Sequence, residues 1–91
     1  MDLKTPFTDE EVISAISNQL ARVTVEYGYE YHSAEELLRV FSEEAHELLH
    51  AVHAGKGHVT TDVLAELIDV AVVCIRGARS YMHNGVKNDQ K

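Results

Sequence analysis

The sequence contains no tryptophan, one cysteine, one proline and only eight basic residues in 91. Each scarcity removes a class of protein. A lone cysteine, Cys74, cannot close an internal disulfide, which excludes a cystine-stapled scaffold, and within its apolar surroundings the thiol is expected to act as a small buried hydrophobe. Pro6 is the only proline, and no stretch alternates apolar with polar residues, so helix is the expected state throughout. Fifteen acids against eight bases give a formal charge of -7, which repels a phosphate backbone and offers no basic patch for counterion release. Nucleic acid is therefore not expected as a partner. The longest apolar run, residues 70–75, falls far short of the ~20 residues a membrane helix needs, and the stretch MDLKTPFTDEE has no apolar signal core. The expectation is a soluble, cytoplasmic protein with no membrane partner.

What is present reads as one all-α domain over residues 1–91, with a core at about 8–83 and polar tails. A first helix opens with Thr8, whose hydroxyl can cap the first turn while Glu11 reaches back; it ends near Tyr27 and Gly28. Ile13, Ile16, Leu20 and Val23 recur along it at helical spacing as its core stripe. Ser33 and Glu36 form a second capping box, starting a helix to about His53, where Gly55-Lys56-Gly57 releases the chain. A third begins at residues 60–62 and runs to about His83, with Asn84-Gly85 as its stop. From Val63 to Cys74 it is apolar on almost every bearing, and three helices cannot cover such a helix on all sides. An antiparallel bundle completed by oligomerisation, as a homodimer or homotetramer, is expected.

The polar exceptions carry the functional information. At about 100° per residue, Leu37, Phe41, Ala45, Leu48 and Val52 share the core face of the second helix. Glu44 falls in bearing between Leu37 and Val40, so its carboxylate points toward partner helices, and Glu47 stands one turn on. In the third helix Glu66 and Asp69 repeat the three-residue step on its only polar stripe, which Asp62 and Arg76 continue. Antiparallel packing across the short glycine-rich connection sets the two acidic pairs face to face. Like charges ~4 to 6 Å apart repel by several kcal/mol at an effective dielectric near 20, so such a cluster needs a cation or protons. Oxygen-only ligands point to magnesium, with manganese as its substitute. A single glutamate on an amphipathic helix is ordinarily just solvated, and it is the joint pattern that favours a metal site.

The two segments Glu43-Glu44-Ala45-His46-Glu47 and Glu66-Leu67-Ile68-Asp69, the latter followed by Val70-Ala71-Val72-Val73, resemble the MazG-like all-α nucleoside triphosphate pyrophosphohydrolases. The resemblance runs from about Val12 to Tyr81. It implies that Glu44, Glu47, Glu66 and Asp69 ligate magnesium, that Glu43 positions or deprotonates the attacking water, and that a nucleoside triphosphate substrate is cut to monophosphate and pyrophosphate. Basic side chains are expected near the leaving phosphates, the candidates being Lys56, Arg76, Arg79 and Lys87. Tyr27, with Tyr29 and Tyr31, precedes the second helix, where a ring can stack on a base or merely cap the bundle.

A competing signal is His46-Glu47-Leu48-Leu49-His50, which matches the zinc-peptidase pattern H-E-x-x-H. Its histidines project away from the core face rather than toward a cleft, and a chain this small lacks a peptidase body; with His53 and His58 they read as solvated side chains able to hold adventitious metal. A non-enzymatic metal-binding oligomer or regulatory protein is the other alternative.

Overall fold

The computed structural model describes residues 7–58 and 60–84. Three helices follow in order, α1 (Asp9–Tyr27), α2 (Ala34–Ala54) and α3 (Thr61–Asn84), and no strand occurs among the described residues. Gly85, Lys87 and the rest of the polar tail lie outside them, as does Pro6.

The helix starts follow the capping chemistry. Thr8 Oγ1 accepts the Glu11 N–H and the Glu11 carboxylate accepts the Thr8 N–H, a complete capping box. At α2 the box is shifted: Ser33 Oγ accepts the Glu36 N–H, but Glu36 reaches one residue further back, to the His32 N–H at 2.7 Å. Thr60 begins α3, its Oγ1 accepting the Val63 N–H. Helix α1 stops at Gly28, whose φ of 99° is open to glycine and strained for other residues.

Helix α3 is the centre of the molecule. Both α1 and α2 pack on it, and they do not pack on one another. Cross-helix contacts give the directions: Gln19 reaches Asp69 and Thr24 reaches Arg79, so α1 runs parallel to α3. Leu37 lies against Gly77 while Glu44 meets Glu66 and Asp69, so α2 runs antiparallel. At Gly77 an added Cβ would stand 3.1 Å from Leu37 Cδ1, which explains a glycine mid-helix where α2 approaches closely. The result is an open arrangement with a cleft between α1 and α2, floored by α3, rather than a closed three-helix bundle.

Little is fully enclosed. Tyr31, Val72 and Val73 are the buried hydrophobic residues among those described, accompanied by Arg76 and Ser80. Several residues read as core from their spacing lie at the surface: Ile13 on α1 and Phe41 and Val52 on α2. The physical reason is that the apolar arc of α2 is wider than one helix can cover. The side turned to α3 carries Leu37, Val40 and Leu48, leaving Leu38, Phe41, Leu49 and Val52 outside. Cys74 is likewise exposed, contrary to the buried hydrophobe expected, because with Leu67, Ala78 and Tyr81 it lines the face of α3 opposite Val72 and Arg76. No helix of the described residues is long and apolar enough to cross a membrane.

Candidate metal centre

Glu44 from α2 and Glu66 and Asp69 from α3 converge where the helices cross, each offering a carboxylate oxygen within 4.8 Å of the others. No histidine or cysteine joins a three-ligand group among the described residues. Glu44 Oε1 and Glu66 Oε1 are buried and have no hydrogen-bond partner. Unmade hydrogen bonds at buried acceptors cost about 1–3 kcal/mol each, more when the group is charged. The fold therefore holds these oxygens in a state that a proton or a cation relieves.

Electrostatics register the same tension. Burial pushes the Glu44 carboxyl up to about 7 from an ordinary 4.5, with the charges of Glu47, Asp69 and Glu66 adding to the shift. Glu66 is raised first by burial and then by Glu47, Asp69 and Asp62. Asp69 is also raised by burial, but a hydrogen bond from Gln19 at 3.1 Å opposes the shift, as does the charge of Arg22. Arg22 in turn donates to the Gln19 oxygen. Glu47 is exposed and stands outside the tight group of three, while its charge bears on all of them.

Gln19 is the member of this site that the sequence reading passed over. It lies on the half-buried stripe of α1 between Ile16 and Val23, and a polar residue in that register was the available signal. Through it all three helices meet at the cluster.

Beside the carboxylates lies a cavity of about 510 Å³ occupying the cleft, with Glu44 and Asp69 at one end and Tyr27, Tyr31 and Arg76 at the other. Glu43 lines it from α2, exposed and 3.9 Å from Arg39 in an ion pair. Arg76 reaches the cavity but is largely engaged: its guanidinium stacks 4.3 Å over the Tyr31 ring and donates to the carbonyls of Tyr27 and Gly28. Arg79 stacks 4.0 Å over Tyr29 and donates to Thr24 Oγ1 and the Tyr29 carbonyl. Ser80 accepts the Tyr31 N–H at 2.8 Å, and His83 pairs with Glu30. These contacts strap the α1–α2 connection onto the last turns of α3. Replacing Arg76 with alanine is accordingly expected to destabilise the fold by about 2–3 kcal/mol, measured by urea unfolding, because it strands two carbonyls and a buried ring face. Lys56 sits in the α2–α3 turn with φ 53° and lines neither the cleft nor the neighbouring cavity.

That neighbouring cavity, of about 660 Å³, is lined by His46, His50, Glu47, Asp62 and Glu66. Both histidines of the H-E-x-x-H segment thus border a concavity, where the sequence reading turned them away from any cleft. Residues four apart on a helix share a side, and the α2–α3 crossing raises the far wall.

Comparison of the chain with protein-family models, with curated proteins and with solved structures yields no match.

Proposed function

We propose that the chain is a magnesium-dependent nucleoside triphosphate pyrophosphohydrolase, with manganese as a substitute ion, acting as a homo-oligomer. The observation that carries this reading is the carboxylate group of Glu44, Glu66 and Asp69, with two buried unpartnered oxygens, opening on a cleft large enough for a nucleotide. An all-oxygen donor set of this kind suits a hard divalent cation, and Glu47 adds a fourth carboxylate at its edge. The resemblance of the Glu43–Glu47 and Glu66–Asp69 segments to MazG-like enzymes supports the choice of reaction. Magnesium, when bound, supplies neutralisation of phosphate charge and polarisation toward in-line attack.

The chain's own residues would do the rest. Gln19 holds the Asp69 carboxylate in one orientation by its 3.1 Å hydrogen bond. Glu43, which lines the cavity, would accept a proton from water as that water adds to the α-phosphorus. The α–β phosphoanhydride bond breaks, releasing monophosphate and pyrophosphate. Phosphate contacts fall to Arg76 and Arg79 only if they give up part of their hold on the α1–α2 connection; Lys56 would have to reach in from the turn. Tyr27, two-thirds exposed at the cleft, is available to stack on a base.

Prior engagement of Arg76 and Arg79 favours the second reading, a non-enzymatic oligomer in which the cluster holds a structural cation. Product analysis separates the two. Incubation of purified protein with a panel of ribo- and deoxynucleoside triphosphates and magnesium, followed by phosphorus NMR, is expected to show monophosphate and pyrophosphate. Cation binding without turnover, or release of orthophosphate alone, would favour the alternatives.

Oligomerisation rests on the uncovered apolar face of α3, where Leu67 is 49 % and Tyr81 40 % exposed. Light scattering at micromolar concentration is expected to give a multiple of the 10.2 kDa chain mass. Leu67→Glu, which charges that face, is expected to return the protein toward monomer; a monomeric parent would contradict the oligomer.

A further inference from the structure

The cleft contains recognition groups that the cation cluster does not use. Tyr31 lines it, is 5 % exposed, and its phenolic oxygen is buried with no hydrogen-bond partner. Such an oxygen is uncommon unless something outside the chain satisfies it. The ring cannot easily turn away, since Arg76 stacks on it and the Tyr31 N–H is fixed by Ser80. Burial raises the phenol above its ordinary value against the opposing pull of the Arg76 guanidinium, so at neutral pH it keeps its proton and can donate. Glu36 lines the same end of the cleft. One of its oxygens is taken by the His32 N–H, leaving the other to accept, and its charge is felt at the Tyr31 phenol. Between these groups and the carboxylates, Val23, Val40, Val72 and Val73 supply apolar wall.

An acceptor and a donor lining one cleft, with four valines between them and the carboxylates, are complementary to one pattern on a planar ring. Resting on the pyrophosphohydrolase reading above, we propose that the cleft reads the Watson–Crick edge and selects nucleotides whose base carries there an exocyclic amino group next to an unprotonated ring nitrogen, namely cytosine or adenine. Glu36 accepts from the amino group and Tyr31 donates to the ring nitrogen. Uracil, thymine and guanine present a carbonyl oxygen and a ring N–H on that edge, which sets an oxygen against the Glu36 carboxylate and a hydrogen against the Tyr31 hydroxyl. Mismatch of this kind leaves buried polar groups unpaired, the condition under which sites discriminate most strongly.

The test uses nucleosides, which have no phosphate and so do not depend on the cation site. Cytidine, adenosine, uridine and guanosine are titrated into the 91-residue chain in EDTA and followed by NMR chemical shifts. Cytidine and adenosine are expected to bind at least about tenfold more tightly than uridine or guanosine. Tyr31→Phe, which removes one oxygen, and Glu36→Gln, which replaces an acceptor with an amide, should each reduce that preference several-fold while leaving helix content unchanged by circular dichroism. Equal binding of all four nucleosides, no binding of any, or a preference that survives both substitutions would overturn the proposal. Pyrophosphate release measured on the same preparation keeps the two readings apart: release without base preference sinks the pocket alone, and selective nucleoside binding without release sinks the reaction alone.

Discussion

Asp69→Asn is expected to reduce magnesium-dependent pyrophosphate release by about a thousandfold, the effect of losing roughly 4 kcal/mol of transition-state stabilisation. The substitution is nearly isosteric and keeps the Oδ1 acceptor for Gln19, so the contact from α1 survives. What it removes is one negative charge from a group of carboxylates that raise one another's proton affinity. Metal-free protein should therefore be at least as stable as the parent in urea, while the cation's stabilising effect disappears. This opposition of sign is informative. A residue that merely supports the fold loses stability and activity together, whereas a ligand held against its electrostatic preference loses activity and gains stability. Reduced stability in EDTA with activity retained would remove Asp69 from the site.

The second large effect is in pH. The Glu44 carboxyl is raised in the folded protein to about 7 from 4.5, so the fold binds a proton that the unfolded chain releases. Its contribution to stability is fully present below about pH 4.5 and is lost as pH rises through about 7. With partial solvent screening the loss is about 1 kcal/mol, or ~4–8 °C in melting temperature for a domain this small. Glu44→Gln should cancel it, so the difference between variant and parent in EDTA widens as pH rises across this window. Magnesium must displace the same proton. Its apparent affinity is expected to climb about tenfold per pH unit below 7 and then level off. Activity at sub-saturating magnesium should follow that curve, and a flat profile from pH 5 to 8 would show that Glu44 is not displaced by the ion.

The local elements were legible in the sequence because caps are local chemistry. Thr8 with Glu11, Ser33 with Glu36, and the glycines at 28 and 55 mark ends that the structure places within a residue or two. Even there, Glu36 bonds to the amide of His32 rather than Ser33, a detail set by the extended backbone of the connection. The convergence of Glu44 with Glu66 and Asp69 was also legible, since each was the polar exception on an apolar helix and a short connection left few ways to pair the helices.

Other features depend on which helix face meets which partner, and periodicity does not specify that. Helix α2 has an apolar arc broad enough for two neighbours, and its centre, near Phe41 and Val52, has the spacing of a core stripe; the chain turns the flank bearing Glu44 toward α3 instead. Cys74 followed the same error on α3. Arg76 and Arg79 read as free cations because the carbonyls that engage them, at Tyr27, Gly28 and Tyr29, lie about fifty residues away in sequence. Gln19 was hidden for a similar reason, its partner Asp69 being on another helix.

The most direct measurement is cation binding by the cluster itself. Isothermal titration of magnesium into the metal-free protein at pH 8, repeated with Asp69→Asn and Glu44→Gln, is expected to show a saturable site in the parent that either substitution weakens at least about tenfold. Absence of binding in the parent, or binding that both variants retain, would contradict the assignment of Glu44, Glu66 and Asp69 as a metal centre and with it the proposed chemistry.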